Sequence, residues 1–173
     1  PFALRRSAIG LLRIIIENKL SIKLRDLINF SISLYKEQGI KLENDKTEIE
    51  ILNFLKERMR NILKLKNIKI DIVEASISSH VGDNYLDLYK KNILMNKYIN
   101  KDVGVKIISS YKRASNITEK SDKGIRGSPD AVLFRTEEEK ALYEKINEIR
   151  KAFTVKESNK DSENLLIKLS EVP

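Results

Sequence analysis

An all-α fold, a multi-helix bundle, is predicted by three observations. Apolar residues recur at spacings of three and four along nearly all of the 173 residues, as on the buried faces of amphipathic helices. Alternating patterns typical of strands are short and rare. Turn-forming residues interrupt the helical pattern at Gly39, at Gly-Asp-Asn in residues 82–84, and at residues 121–129, which hold two glycines and a proline.

The first predicted helix spans about residues 2–18. Its main apolar stripe consists of Leu4, Ala8, Leu11 and Ile15. Further apolar residues widen this stripe over most of the circumference, so we expect the helix to be packed on several sides.

The next two helices are predicted over about 23–38 and 46–66. The second helix ends at Gly39 as a C-cap, and the third has Asn44 or Asp45 as its N-cap. The expected core-facing residues of the second are Leu24, Leu27, Ile28, Ile32 and Tyr35. Those of the third are Ile49, Leu52, Leu55, Met59 and Ile62 or Leu63.

Five further helices are predicted, over about 72–78, 85–99, 102–120 and 137–152, and from about 163 onward. Thr136 followed by three glutamates forms a capping-box pattern, with acidic residues over the positive end of the helix. The change of pattern between Asn67 and Gly82 is the expected domain boundary.

The composition favours polyanionic partners. The net charge is +8, and the excess of basic over acidic residues is largest in residues 1–66, with 14 against 8. Cysteine is absent, which excludes disulfides, thiolate zinc sites and cysteine nucleophiles. The single histidine, His80, excludes a histidine-rich metal site, so we expect no metal ligands and no cofactor in this chain.

The longest apolar run is too short for a membrane span, so we expect a cytoplasmic protein without a membrane partner. Pro1 lies within a helical pattern. The chain is therefore expected to be a piece of a longer polypeptide.

No catalytic motif is found. Residues 80–83, His-Val-Gly-Asp, resemble a nucleotide motif of class I tRNA synthetases, but its second histidine is missing and Gly-Asp-Asn is typical of a turn. Phosphate-binding loops and nucleophile elbows are also absent. We therefore interpret residues 80–84 as a turn between helices.

The predicted helix 102–120 carries the best candidate binding residues. Its cationic face consists of Lys106, Lys112, Arg113, Asn116 and Lys120. Lysine and arginine can contact phosphates, and Arg113 or Asn116 can contact a base edge. The opposite face, with Val103, Ile107, Tyr111, Ala114 and Ile117, is expected to be buried. The alternative is a merely solvated helix face.

Other basic residues are assigned structural or solvent-facing roles. Arg5 projects into the apolar arc of the first helix, where we expect it to be paired or to extend its stem along apolar surface. For the cluster Arg58, Arg60, Lys64 and Lys66 we expect a solvated face.

Two separated stretches resemble one family. Residues 1–20, PFALRRSAIGLLRIIIENKL, resemble the Asp-Pro-Phe-Ala-Leu-Arg-Arg-x-Ala-x-Gly-x-x-Arg-Ile segment of the β subunit of bacterial heterotetrameric glycyl-tRNA synthetase. Residues 111–117, YKRASNI, are similar to its Lys-Arg-x-x-Asn-Ile helix. The stretches INFSISLYKEQG, ILNFLKERMRNIL and IDIVEAS follow the same family order.

The resemblance implies two domains and a set of partners. Residues 1–66 would be the helical end of a His-Asp-like domain, and residues 67–173 a C-terminally truncated anticodon-binding helical domain. In the family the separate α subunit carries the active site for glycine, ATP and Mg²⁺, whereas the β subunit grips tRNA-Gly. The chain would thus be a non-catalytic part of a glycine-tRNA ligase.

Two alternatives remain open. The chain could be a structural or α-subunit-docking module in which the charges only solvate the helices. It could also be a general basic scaffold that binds unrelated tRNAs equally well.

Overall fold

The computed structural model confirms the all-α prediction. It describes residues 1–173 except 1, 43, 81, 121–126, 128, 155–158 and 173, and the described residues contain helices but no strand. The α-helices are α1 (Phe2–Glu17), α2 (Leu24–Glu37), α3 (Thr47–Leu65), α4 (Ile70–Ser79), α5 (Tyr85–Tyr98), α6 (Asp102–Lys120), α7 (Glu137–Thr154) and α8 (Asn159–Ser170). A short 3₁₀ helix, Ala131–Leu133, was not predicted.

The chain forms two compact units, Pro1–Asn96 and Lys97–Pro173. The first unit therefore includes α4 and nearly all of α5. The assignment of the two family domains, 1–66 and 67–173, stays a prediction.

Helix α3 is the centre of the first unit, because it packs against α1, α2 and α4. Its predicted core residues Leu52, Leu55, Met59, Ile62 and Leu63 are all buried. Tyr85 at the start of α5 is also buried, and its hydroxyl donates a 2.8 Å hydrogen bond to the Leu52 carbonyl. This bond holds the start of α5 against α3. Burial raises the pKa of the Tyr85 phenol.

The turn predicted at residues 80–84 falls between α4 and α5, where Gly82 and Asp83 form a bend and residue 81 lies outside the described residues; Asp83 also caps α2. The Asp83 carboxylate accepts a 2.9 Å hydrogen bond from the backbone N–H of Arg25, in the first turn of α2. Lys23, the N-cap residue of α2, makes no side-chain capping bond. A residue 58 positions away along the chain therefore satisfies a backbone donor that no local side chain reaches.

Two predictions about helix ends have opposite outcomes. Gly39 follows α2 with a φ of 75°, the left-handed conformation that favours glycine after a helix. The predicted N-cap of α3 is wrong, because Lys46 occupies that position without a side-chain capping bond. Asn44 instead accepts a hydrogen bond from the Lys46 backbone N–H, and this local turn delays the helix until Thr47.

Helix α8 is central to the second unit, since it packs against both α6 and α7. The capping box predicted at the start of α7 is confirmed. Glu139 N–H donates to the Thr136 hydroxyl at 3.3 Å, and Thr136 N–H donates to the Glu139 carboxylate at 3.1 Å. Hydrogen bonds from the backbone of Arg135 and Thr136 lower the pKa of Glu139.

Several residues predicted to face the core are exposed in the first unit. Helix α1 buries Ala8 and Ile15 as expected, but Leu4 and Leu11 are exposed, so the helix is not packed on several sides. The exposed members of the other two predicted faces are Leu27, Tyr35 and Ile49. A broad apolar arc is wider than the surface that one neighbouring helix covers, so its edges remain open. None of the helices in the described ranges is both long and apolar enough to cross a bilayer.

Candidate nucleic-acid interface

Gly104, in the first turn of α6, lies close against the backbone of Tyr98 and Ile99. A Cβ atom built at Gly104 would lie 2.3 Å from the carbonyl oxygen of Tyr98. Any larger residue would push the start of α6 away from residues 98 and 99. The glycine therefore allows the first turn of α6 to lie directly against residues 98 and 99.

Helix α8 covers only the first half of α6. Tyr98, just before α6, is hydrogen-bonded to Glu163 near the start of α8. At the other end, the Ser110 hydroxyl donates a 3.2 Å bond to the carbonyl of Val172, just beyond α8. The two helices thus run in the same direction. With 12 residues in α8 and 19 in α6, their lengths are about 18 and 28 Å.

The candidate binding residues on α6 lie in solvent. Lys106, Lys112, Arg113 and Asn116 are all exposed, and in the described part of the chain none of the three cations among them forms an ion pair. Lys120 ends the helix, but its side chain lies outside the described residues. The structure thus places four of the five predicted residues on one solvent-facing arc.

Several other lysines of the same unit are paired. Lys97 lies 2.9 Å from Glu163, Lys145 lies 2.6 Å from Glu171, and Lys168 lies 2.7 Å from Glu148. Hydrogen bonds from Lys168 and Lys145 lower the pKa of the Glu148 carboxyl. These charges are already compensated within the protein.

Few acidic groups neutralise the face of α6. The helix contains only Asp102 and Glu119 as acids, and Glu119 accepts a 3.2 Å hydrogen bond from the Ser115 hydroxyl on its own helix. Exposed cations without carboxylate partners are suited to bind phosphate oxygens, because they need not break an existing ion pair.

The predicted buried face of α6 is wrong in the second half of the helix. Val103 and Ile107 are half-buried, but Tyr111 is 72% exposed and Ile117 is 63% exposed; Ala114 is exposed as well. The reason is that α8 ends level with Ser110. Beyond that level, no described helix packs closely on α6, so an apolar pattern is not matched by burial.

The structure also corrects the assignments of other arginines. Arg58 and Arg60 do not form a solvated face, since both are half-buried. The Arg60 guanidinium forms ion pairs with Glu57 and with Glu74, the latter at 2.9 Å. The Cζ atom of Arg58 lies over the Phe54 ring, 4.6 Å from the ring centroid. Lys64 and Lys66 are exposed, as expected.

Arg5 is exposed and forms no ion pair with the described residues, so the expected pairing is not observed. Arg5 lies in the first turn of α1, on the N-terminal side of Ala8, which is the first buried residue of that helix. An apolar arc therefore does not guarantee a buried setting near a helix end.

A shallow groove of about 300 Å³ in the first unit is lined by Arg13, Glu17, Lys66, Tyr89 and three apolar residues. It lies at the C-terminal ends of α1 and α3, whose dipoles disfavour anions. Within the described ranges there is also no group of three acidic or histidine side chains that could hold a metal ion. Helix α6 therefore remains the best candidate site.

Comparison with known sequences matches this chain to glycyl-tRNA synthetase β subunits. Residues 1–78 match the family described as "Glycyl-tRNA synthetase beta subunit". The chain is 41% identical over 170 residues to the glycine-tRNA ligase β subunit of Rickettsia canadensis, 39% identical to that of Rickettsia africae and 36% identical to that of Rickettsia prowazekii. Each alignment covers 98% of this chain and 24% of the relative. The chain thus spans about a quarter of the length of these curated relatives.

Proposed function

Since the chain belongs to the glycyl-tRNA synthetase β-subunit family, we propose that it contributes tRNA binding to the ATP-dependent attachment of glycine to tRNA-Gly. The catalytic centre, with ATP and Mg²⁺, would lie on the α subunit of a heterotetramer. On this proposal the chain acts in the cytoplasm as the anticodon-binding part of the ligase.

The observation that carries the proposal is the exposed set of cations on α6. Lys106, Lys112 and Arg113 have no ion-pair partner among the described residues, whereas Lys97, Lys145 and Lys168 of the same unit do. Phosphate groups release counterions when they meet such cations, which gives affinity without sequence selectivity. Arg113 and Asn116 can add contacts to base edges in an unpaired anticodon loop.

The test is the double substitution Lys112→Ala plus Arg113→Ala in the complete enzyme. Binding of tRNA-Gly should weaken, and the slope of log affinity against log salt should flatten by about 0.7 for each single-strand phosphate that the variant no longer neutralises. The matched control is Lys140→Ala plus Lys168→Ala, which removes the same charge from two lysines that are ion-paired. Equal slopes for both double variants would refute the role of α6.

A comparison of two RNAs addresses selectivity. If α6 contacts the anticodon arm specifically, exchange of the tRNA-Gly anticodon should weaken binding to the unsubstituted enzyme and have less effect on the double variant. A general RNA-binding scaffold predicts equal affinity for both RNAs.

A second candidate function is docking of the α subunit, and an exposed stripe on α2 favours it. Leu27, Phe30 and Leu34 follow the i, i+3, i+7 spacing of one helix face and are 46%, 62% and 40% exposed. Under this alternative, Phe30→Ser weakens association with the α subunit but leaves tRNA affinity unchanged. The Lys112 and Arg113 double substitution would then leave tRNA affinity unchanged as well.

A further inference from the structure

Tyr111 is the exposed aromatic residue of α6, at a position where the helical pattern favours burial. Its side chain is 72% exposed, although it lies at the centre of the arc defined by the half-buried residues Ile107 and Ile108. Helix α8 ends level with Ser110, one residue earlier. The ring therefore stands at the edge of the covered part of α6.

The residues around Tyr111 leave its ring open. Ala114, Ser115 and Thr118 follow at i+3, i+4 and i+7, so they lie on the same face of the helix. All three are small, and the hydroxyls of Ser115 and Thr118 are turned to partners on their own helix, Glu119 and the Ala114 carbonyl. A flat ring that is 72% exposed and has only small side chains on its C-terminal side presents a face that a planar group can cover.

Two cationic side chains and one amide side chain lie next to Tyr111 around the circumference of α6. At about 100° per residue, Lys112 follows Tyr111, and Asn116 and Arg113 lie further round on the same side. All three are exposed. A nucleotide stacked on Tyr111 would thus have a cation beside it to meet its phosphate.

We infer that Tyr111 is a stacking platform for an unpaired base, with Lys112 binding the phosphate of the same nucleotide. This inference rests on the proposed function, because it assumes that RNA binds to α6. Aromatic rings bind bases through their π-faces, and a base can stack on a protein ring only when it is not paired and stacked within a nucleic-acid duplex. The ligand class is therefore single-stranded RNA, not a duplex.

The test compares Tyr111→Ala, Tyr111→Leu and Tyr111→Phe in the complete enzyme, with binding to tRNA-Gly and to a fully paired RNA duplex as the readouts. Alanine and leucine remove the π-face and should lower tRNA affinity about fivefold or more. Phenylalanine keeps it and should bind within about twofold of the original. Duplex affinity should not change in any of the three variants. Tyr35→Ala, at an exposed tyrosine on α2, is the matched control and should have no effect.

Three results would overturn the inference. Equal losses in the phenylalanine and alanine variants would indicate a hydroxyl contact. Full affinity in the leucine variant would indicate apolar packing instead of stacking. Unchanged affinity in the alanine variant would exclude any contact with Tyr111. In each case the Lys112 and Arg113 double variant decides separately whether RNA binds to α6, so the two proposals can fail independently.

Discussion

The cap that Asp83 provides for α2 can be tested directly by substitution. The Asp83 carboxylate accepts a 2.9 Å bond from the Arg25 backbone N–H, and the Asp83 carbonyl accepts a 3.4 Å bond from Leu24 N–H. Asp83→Ala removes the first bond but keeps the second. The Arg25 N–H in the first turn of α2 then loses the acceptor that Asp83 provides.

Two contributions set the expected magnitude. Loss of a side-chain cap costs about 1 kcal/mol, within a range of about 0.5–2 kcal/mol. Loss of a negative charge at a helix N-terminus accounts for about 0.3–1 kcal/mol of this at low salt. For a unit of about 100 residues, 1 kcal/mol corresponds to a decrease of about 4–8 °C in melting temperature. Asp83→Asn keeps an acceptor oxygen and should lose only the charge contribution, which high salt screens.

The assay is thermal unfolding followed by circular dichroism, together with hydrogen exchange at the Arg25 amide. Exchange at this amide should accelerate in Asp83→Ala. The matched control is Asp45→Ala, because Asp45 precedes α3 and forms no hydrogen bond through its side chain to another described residue. If both alanine variants melt at the same temperature as the original protein, or if Asp45→Ala loses as much as Asp83→Ala, the assignment of this cap is wrong.

Three further predictions concern packing and titration. Met59→Ala, at a fully buried position, should lower the free energy of unfolding by about 2–5 kcal/mol in denaturant titrations, whereas Ile49→Ala, at a 58% exposed position, should change it by less than about 0.5 kcal/mol. Glu139 has a lowered pKa because of backbone hydrogen bonds from Arg135 and Thr136. The stabilisation that ionised Glu139 gives to the fold is therefore present above the ordinary pKa of 4.5 and is lost as the pH falls through the lowered pKa. Glu139→Gln should therefore make the free energy of unfolding less dependent on pH in this acidic range. Burial, with Lys56 and Lys91, lowers the pKa of His80. As the pH falls, His80 is therefore protonated in the unfolded chain before it is protonated in the folded chain, and the free energy of unfolding should decrease below about pH 6.5. His80→Gln should remove the part of this decrease that is due to His80. If the pH dependence of stability in His80→Gln equals that of the original protein, the assignment is wrong.

The helices were predictable because each carries its own signals. The capping box at Thr136 and Glu139 involves residues three positions apart, and Gly39 needs only its own backbone conformation. Both are local interactions that a short peptide segment already specifies. The core face of α3 was largely predictable as well, since a central helix is covered by several neighbours and most of its apolar stripe is buried.

Local pattern was insufficient where a distant part of the chain decides the outcome. The start of α3 is a local exception, because the Asn44 side chain accepts a hydrogen bond from the Lys46 backbone N–H and the helix begins only after Lys46. The cap of α2 comes instead from Asp83, which no spacing rule within α2 could indicate. The pairing of Arg60 with Glu74 likewise depends on the packing of α4 on α3.

By itself the sequence determined the fold class, the approximate span of each helix, the cationic arc of α6 and the family resemblance of the chain. These properties follow from periodicity, charge and short motifs that do not depend on the position of other helices. Only the tertiary structure decided which apolar arcs are covered. Helix α8 is shorter than α6 and ends level with Ser110, so burial stops there and Tyr111, predicted to lie in the core, stands in solvent beside Lys112.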